Sequence, residues 1–336
     1  MSHLASEADE RPVVLEVTDL RTFVFMRRGV VRAVDGVSFA VRQGETLGIV
    51  GESGCGKSMT ALSLVRLVPP AARIVGGQVR LAGENLLELS EAEMRRLRGR
   101  RISMILQDPH SSLNPVLTIG DQIREALRRR LGGGRRVLAA AAIESLRRVG
   151  IPNADARTHG YPHQMSGGMK QRVVGAIAMA GGPLVIIADE PTTALDVTIQ
   201  AQYLRLLRDL QDDTGVALVF ITHDFGIVAK MCDRVAVMYA GRVVEQAPVR
   251  VLFDEPAHPY TEALLASVPR IDGRPARLPS IEGQPPELHA LPPGCRFAPR
   301  CQYAGARCHV EAPPTFVVGP THTAECWRLD PSWASP

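Results

Sequence analysis

The stretch that most constrains this 336-residue chain is Gly51-Glu52-Ser53-Gly54-Cys55-Gly56-Lys57-Ser58, which fits G-x-x-x-x-G-K-[ST] at every fixed position. Such a loop needs a buried strand before it and a helix after it. Both are readable: Thr46-Leu47-Gly48-Ile49-Val50 is a short apolar run, and Met59 to Val68 carries one apolar face. The glycines let the backbone turn its N–H groups toward phosphate oxygens, and the helix adds the positive end of its dipole. Gly51, Ser53, Gly54, Cys55, Gly56 and Met59 are therefore expected to cradle a nucleoside triphosphate, with Lys57 on the β- and γ-phosphates and the Ser58 hydroxyl on Mg²⁺. The fold class implied is α/β, a phosphate-loop NTPase core.

The net charge of +4 is too mild to demand nucleic acid, and no apolar run reaches the roughly 20 residues that cross a bilayer. Any membrane role is then expected to pass through a partner. Met1 to Arg11 is polar and acidic and lacks a basic-then-apolar secretory layout, which predicts a cytoplasmic chain with a flexible tail over 1–10. Six cysteines in that compartment argue against structural disulfides, and four of them fall late, at Cys295, Cys301, Cys308 and Cys326.

Read in order, Val13 to Val17, Leu20 to Phe25 and Val30 to Val41, with a basic turn at Arg27-Arg28-Gly29, predict two antiparallel strands. Phe23 or Phe25 could stack on a nucleotide base, with strand packing the alternative for either. Ser90 and Glu93 form a capping box at a helix start, and the arginines at 95, 96, 98, 100 and 101 read as a solvated helix face, since no aromatic residues interleave to stack bases. Ile102 to Leu106 is a buried strand ending at Gln107. A helical lobe follows over Ile119 to Val149, broken at Gly132-Gly133-Gly134, and another helix starts behind Ser166-Gly167-Gly168 and runs to Ala180. Leu184 to Ala188 is a continuous apolar run, as in a parallel strand covered on both faces, and it ends in Asp189-Glu190, where ligands of α/β sheets bind. Gln200 to Asp212 reads as a helix, Val216 to Ile221 as a strand with His223 just past its end, and Val235 to Tyr239 and Arg242 to Glu245 as a hairpin through Ala240-Gly241. Beyond Val251 prolines, among them Pro269, Pro275 and Pro279, punctuate an irregular segment with one clear helix, Tyr260 to Ser267.

Taken together, Gly51 to Ser58, Gln107, Ser166-Gly167-Gly168-Met169, Asp189-Glu190, Thr193-Ala194-Leu195-Asp196 and His223 resemble, in order and spacing, the nucleotide-binding subunits of ABC transporters over about residues 13 to 250. The residues make chemical sense unaided. Asp189 can hold Mg²⁺, Glu190 points the other way along an extended chain and can take a proton from the attacking water, Gln107 can bridge Mg²⁺ and water, and His223 can sense the γ-phosphate. The resemblance implies that Ser166, Gly167 and Gly168 face the nucleotide of a second ATPase subunit, a related chain more readily than an identical one, and that Asp196 is among the nucleotide-binding residues. It departs from the commoner Leu-Ser-Gly-Gly-Gln form by Met165 and Met169, which leaves the serine and glycines intact.

His258-Pro259-Tyr260-Thr261-Glu262-Ala263-Leu264-Leu265 and the proline-rich tail resemble the dipeptide and oligopeptide importer ATPases, with nickel importers sharing much of the pattern. That resemblance implies two membrane-spanning permease subunits, an extracytoplasmic peptide-binding protein, and a peripheral position on the cytoplasmic face of the cell membrane. The expected layout is an ATP-binding core over 11–108 and 181–250 with an antiparallel β subdomain, an inserted helical subdomain at 109–180, and a C-terminal extension over 251–336. The late cysteines follow C-x5-C-x6-C-x17-C, without the C-x2-C knuckles of most zinc sites; the readings are a structural [4Fe-4S] cluster, which some relatives of this pattern carry, or Zn²⁺, or no metal. Cys232 reads as a small buried residue. Cys55, beside a helix N-terminus, is expected to have an acidified thiol whose alkylation blocks ATP binding. Two other classes stand as alternatives: a soluble ABC ATPase acting on nucleic acid or ribosomes, which normally carries a coiled coil or two ATPase halves, and a regulatory ATP-binding module, against which Lys57, Asp189, Glu190 and His223 argue.

Overall fold

The structure, a computed structural model, describes residues 11–27, 29–193, 195–268 and 281–333. The tail 1–10, Arg28, Ala194 and the prolines Pro269, Pro275 and Pro279 lie outside the described residues. In chain order the strands and principal helices are β1 (Val13–Met26), β2 (Gly29–Arg42), β3 (Thr46–Val50), α1 (Lys57–Leu64), β4 (Ala72–Leu81), β5 (Glu84–Asn85), α2 (Glu91–Leu97), β6 (Ile102–Ile105), α3 (Ile119–Leu131), α4 (Arg135–Arg148), α5 (Gly167–Ala180) and β7 (Val185–Asp189). They continue as α6 (Val197–Thr214), β8 (Ala217–Ile221), α7 (Phe225–Met231), β9 (Arg234–Tyr239), β10 (Arg242–Pro248), α8 (Pro259–Ala266), β11 (Phe316–Gly319) and β12 (His322–Ala324).

Two sheets result. One is antiparallel, in the order β2-β1-β4-β5; the other has eight strands in the order β11-β12-β10-β9-β3-β8-β7-β6, parallel from β9 to β6. The central parallel strands are buried on both faces, and alternation along them feeds two cores. Ile186, Ala188, Leu218 and Phe220 pack with the helical lobe, while Val185, Ile187, Val219 and Ile221 pack beneath the antiparallel sheet with Val17, Val37 and Leu64. The ends of β3, β6, β7 and β8 therefore lie side by side, and the loops that leave them carry the motifs.

Several boundaries differ from the sequence reading. The helix after the phosphate loop stops at Leu64 rather than Val68, because Arg66 turns left-handed (φ 53°) and Pro69 and Pro70 follow. The helix read from Gln200 starts at Val197, since the Asp196 carboxylate accepts from the N–H groups of Thr198 and Ile199 at 3.1 and 3.0 Å. Arg98 is no solvated face residue: it bonds the carbonyls of Val65 and Arg66 and pairs with Glu91, tying α2 to the end of α1. Nor is the tail wholly irregular. Beyond a short helix at Val249–Asp254, β12 pairs antiparallel with β10 and extends the core sheet, strands too short and too close to Pro313, Pro314 and Pro320 to announce themselves.

Candidate functional site

The phosphate loop leaves β3 at Val50 and enters α1 at Lys57. Two of its glycines are steric necessities: a Cβ on Gly51 (φ 151°) would sit 2.2 Å from the Met238 carbonyl oxygen, and one on Gly56 (φ 109°) would sit 2.2 Å from that of Ala33. Ser53, Gly54 and Ser58 are exposed, Met59 is half-buried, and Lys57 is buried with its Nζ on the carbonyls of Gly51 and Glu52 at 2.8 and 3.0 Å. The Ser58 hydroxyl donates to Asp189 Oδ1 at 3.2 Å, so two of the three side chains expected on Mg²⁺ meet between the first turn of α1 and the end of β7. Burial, foremost, holds the Asp189 carboxyl above its usual range. Mg²⁺ on phosphates takes one or two protein side chains and fills its shell with water, and a hydroxyl beside a carboxylate fits that demand.

Glu190 corrects one expectation. It does not continue the extended chain but turns left-handed (φ 45°), with its N–H bonded to the carbonyl of Ile221 at the end of β8. The turn swings its carboxylate into a hub, where it accepts from Gln107 Nε2 at 3.1 Å and the Thr193 hydroxyl at 3.1 Å, and lies 3.3 Å from His223 Nδ1. Gln107 thus contacts Glu190 rather than the Ser58 and Asp189 pair. The structure brings Lys57, Ser58, Asp189, Glu190, Gln107 and His223 to adjoining strand ends, while Asp196 serves as a helix cap in this chain.

The loop Met165-Ser166-Gly167-Gly168 is exposed at Ser166 and Gly167, and the Ser166 hydroxyl caps α5 by accepting from Met169 N–H at 3.4 Å. Gly168 packs on Ile199 of α6, with 2.6 Å left for a Cβ. Of the two phenylalanines, Phe23 is half-buried under the Arg32 guanidinium (5.8 Å), and Phe25 is exposed beside that of Arg73 (5.6 Å).

The cysteines divide. Cys232 is buried under Gly48, as expected. Cys55 overturns its expectation: it is buried, with its sulfur 2.8 Å from where a Gly51 Cβ would lie, and burial pushes its thiol up despite Lys57 nearby. Cys295, Cys301, Cys308 and Cys326 line one cavity of about 20 Å³. Main-chain N–H groups of Phe297 and Ala298 face the Cys295 sulfur, that of Tyr303 faces Cys301, and that of Arg328 faces Cys326. Burial raises the Cys301 thiol, and pushes those of Cys295 and Cys326 up to about 11 and about 12. Among the described residues, however, no group of three or more His, Cys, Asp or Glu side chains is gathered so that it could hold a metal ion, and the metal expectation is unsupported on that ground.

Sequence reasoning missed what the tail does to the core. Glu245, fully buried on β10, accepts from the N–H groups of Ala257 (2.7 Å) and His258 (3.0 Å) and from His322 Nε2 (2.7 Å). Tyr260 and Arg300 reach the phosphate loop itself. The signal available was His258-Pro259-Tyr260, read as a family mark when it is also a structural latch.

A phosphate loop backed by a strand-end carboxylate pair, with a glutamine, a histidine and a separate glycine loop, is the constellation of an ATP-binding cassette. Residues 34–193 match the family described as ABC transporter, and residues 244–308 match the oligopeptide/dipeptide transporter C-terminal region. A probable peptide ABC transporter ATP-binding protein of Sinorhizobium fredii is 54% identical over 94% of this chain and 95% of its own length. The dipeptide transport ATP-binding protein DppD of Bacillus subtilis is 48% identical over 94% of this chain and 95% of its own. Among solved structures, a dimeric post-hydrolysis state of the ATP-binding cassette MJ0796 bound to ADP and Pi is similar at a TM-score of 0.63 and 26% identity, covering 70% of this chain and 99% of that one. The chain belongs to the ABC transporter ATPase family, in the branch that carries the oligopeptide/dipeptide C-terminal region.

Proposed function

We propose that this chain is the ATP-binding and ATP-hydrolysing subunit that powers import of dipeptides or oligopeptides through a membrane transporter. The observation that carries the hydrolytic half is the convergence of Lys57, Ser58, Asp189, Glu190, Gln107 and His223 on neighbouring strand ends. In this reading Glu190 is the base that takes a proton from the attacking water, Asp189 and Ser58 hold Mg²⁺, and Lys57 neutralises the phosphates. Phe23 or Phe25, each beside an arginine guanidinium on the antiparallel sheet, stacks on the base. Ser166 and Gly167, exposed at the start of α5, with Gly168 beside them and Asp196, complete the nucleotide site of a facing ATPase subunit; the similarity to a dimeric cassette supports this. Among the described residues no helix is long and apolar enough to cross a membrane, so permease partners must supply the channel and hold the chain at the membrane surface.

The segments fall to separate tasks: 11–108 and 181–250 bind ATP, 109–180 carries the signature loop and meets the permease, and 251–336 braces the core. Within the last, a structural [4Fe-4S] cluster on Cys295, Cys301, Cys308 and Cys326 is a reading that rests on the sequence pattern: the four line one cavity and main-chain N–H groups face three of the sulfurs, but among the described residues they are not gathered as a ligand set. Iron and sulfide content of anaerobically purified protein tests this, and a colourless, iron-free chain that folds and binds ATP sinks it. The transport reading is tested by reconstituting the chain with permease subunits and a peptide-loaded binding protein in vesicles. Hydrolysis stimulated by peptide supports it; stimulation by nickel alone, or none, overturns it.

A further inference from the structure

We infer that Tyr260 and Arg300 of the C-terminal extension are positioning residues for the phosphate loop, setting its affinity for ATP by clamping Glu52. This rests on the ATP-binding reading above and goes beyond it, since both residues come from outside the phosphate loop and neither is assigned to the nucleotide.

The clamp has two jaws. The Tyr260 hydroxyl, on a fully buried side chain, accepts from the Glu52 N–H at 2.9 Å. The Arg300 guanidinium, 3% exposed, grips the Glu52 carboxylate through both nitrogens, at 2.7 Å to Oε2 and 3.0 Å to Oε1. Arg300 is itself fixed from behind: its Nε donates to the carbonyl of Glu282 at 3.0 Å, and its guanidinium lies 5.9 Å from the ring of Tyr239, which packs at a tilt on Tyr260 (ring centroids 4.5 Å apart) and edge-on against Phe297. Both jaws therefore arise from rigid, buried side chains.

The consequence runs through one peptide plane. The Glu52 N–H and the Gly51 C=O belong to the same planar trans unit and point to opposite sides. Holding the N–H against Tyr260 aims the Gly51 carbonyl the other way, where it accepts from Lys57 Nζ at 2.8 Å, with the Glu52 carbonyl adding a second contact at 3.0 Å. The tail thereby fixes where the phosphate-binding ammonium rests. Arg300 and Arg296 both lie in the five residues between Cys295 and Cys301, and Arg296 bonds the Ala240 carbonyl (2.5 Å) and Asp35. One short cysteine-flanked loop thus bonds the phosphate loop at Glu52 and the β9–β10 turn, whose Gly241 N–H donates to the Cys55 carbonyl at 2.8 Å, so the order of that loop is felt at Lys57.

The experiment is a double-mutant cycle in the full chain, read by fluorescent-ATP binding and by KM and kcat for ATP. Tyr260→Phe, Glu52→Gln and Arg300→Ala are each expected to weaken ATP binding by about three- to tenfold, the scale of one buried or charge-assisted hydrogen bond, with the change in KM and not in kcat. Glu52→Gln with Arg300→Ala together should be no worse than the poorer single variant. Binding equal to wild type in Tyr260→Phe and Glu52→Gln, or losses in Glu52 and Arg300 variants that simply multiply, overturns the clamp. Should Arg300→Ala fail to fold, the first two variants decide. Failure of the wild-type chain to bind ATP would instead overturn the parent reading, and the two failures are distinct.

Discussion

Acidification should unlatch the extension, and His258 is where it acts. Its ring is 1% exposed, and Nδ1 accepts from Tyr260 N–H at 3.0 Å, a bond that demands an unprotonated nitrogen. The opposite side of the ring faces the main chain of Glu325, so the neutral imidazole is satisfied at both nitrogens and a second proton must break the helix cap. Burial first, then the positive charge of Arg328, hold its pKa down at about 3, with the Glu325 main chain pulling weakly the other way. The unfolded chain binds this proton near pH 6.5. Because the folded pKa is depressed, the unfolded state binds more protons between those limits. The stability His258 contributes is whole above about pH 6.5 and is lost as pH falls, at about 1.4 kcal/mol per unit, or roughly 2 kcal/mol by about pH 5. The assay is denaturant unfolding at about pH 7 and about pH 5, in wild type and in His258→Asn, which keeps an acceptor for Tyr260 N–H but has no proton to gain. Other groups titrate in both proteins and cancel. Wild type should lose roughly 2 kcal/mol more than the variant across that interval; parallel losses would refute the reasoning.

Three further outcomes follow from the site. Glu190→Gln keeps the side-chain shape and the contacts with Thr193 and Gln107 yet removes the base, so hydrolysis should fall by about a hundred- to ten-thousandfold while ATP still binds; turnover above a tenth of wild type counts against Glu190. Cys55, buried and with its thiol raised, should react with iodoacetamide more slowly than a cysteine in the unfolded chain at neutral pH; rapid labelling seen by mass spectrometry, blocked by ATP, would restore the acidified thiol. Gly51→Ala would drive a Cβ to 2.2 Å from the Met238 carbonyl at a φ of 151°, costing on the order of 3 kcal/mol of strain, and a variant that still bound ATP like wild type in a fluorescence titration would show the loop to be more yielding than this geometry allows.

The core was legible because each of its motifs sits at a discontinuity that sequence displays. Leu184 to Ala188 reads as a buried parallel strand because both faces are covered, and the coordinates divide its alternate residues between two cores. The Ser90 and Glu93 capping box and the break at Gly132 are local chemistry, and local chemistry is visible. What stayed hidden depends on partners far along the chain. Arg98 looked solvated until the carbonyls of Val65 and Arg66 appeared beneath it, and Cys55 looked acidified because a helix N-terminus was weighed and burial under Gly51 was not. The short strand at 322–324 gains its order from β10, some 80 residues upstream, by a pairing no local pattern records, and the strand at 316–319 pairs with it in turn.

The turn at Glu190 shows why the carboxylate pair cannot be understood as simple alternation on a strand. Had Asp189 and Glu190 both followed the extended period, the second would face the opposite core from the phosphate loop. The left-handed backbone breaks the period at the one residue where that is useful, and the bond from Glu190 N–H to the Ile221 carbonyl holds the turn in place. The carboxylate then meets groups from the ends of two strands and from the segment entering α6: Gln107 after β6, His223 after β8, and Thr193. A shift of any one of them changes the hydrogen bonding of the proposed base, so the segment leading from β6 toward the helical lobe and the segment entering α6 meet at the same oxygen, Glu190 Oε2.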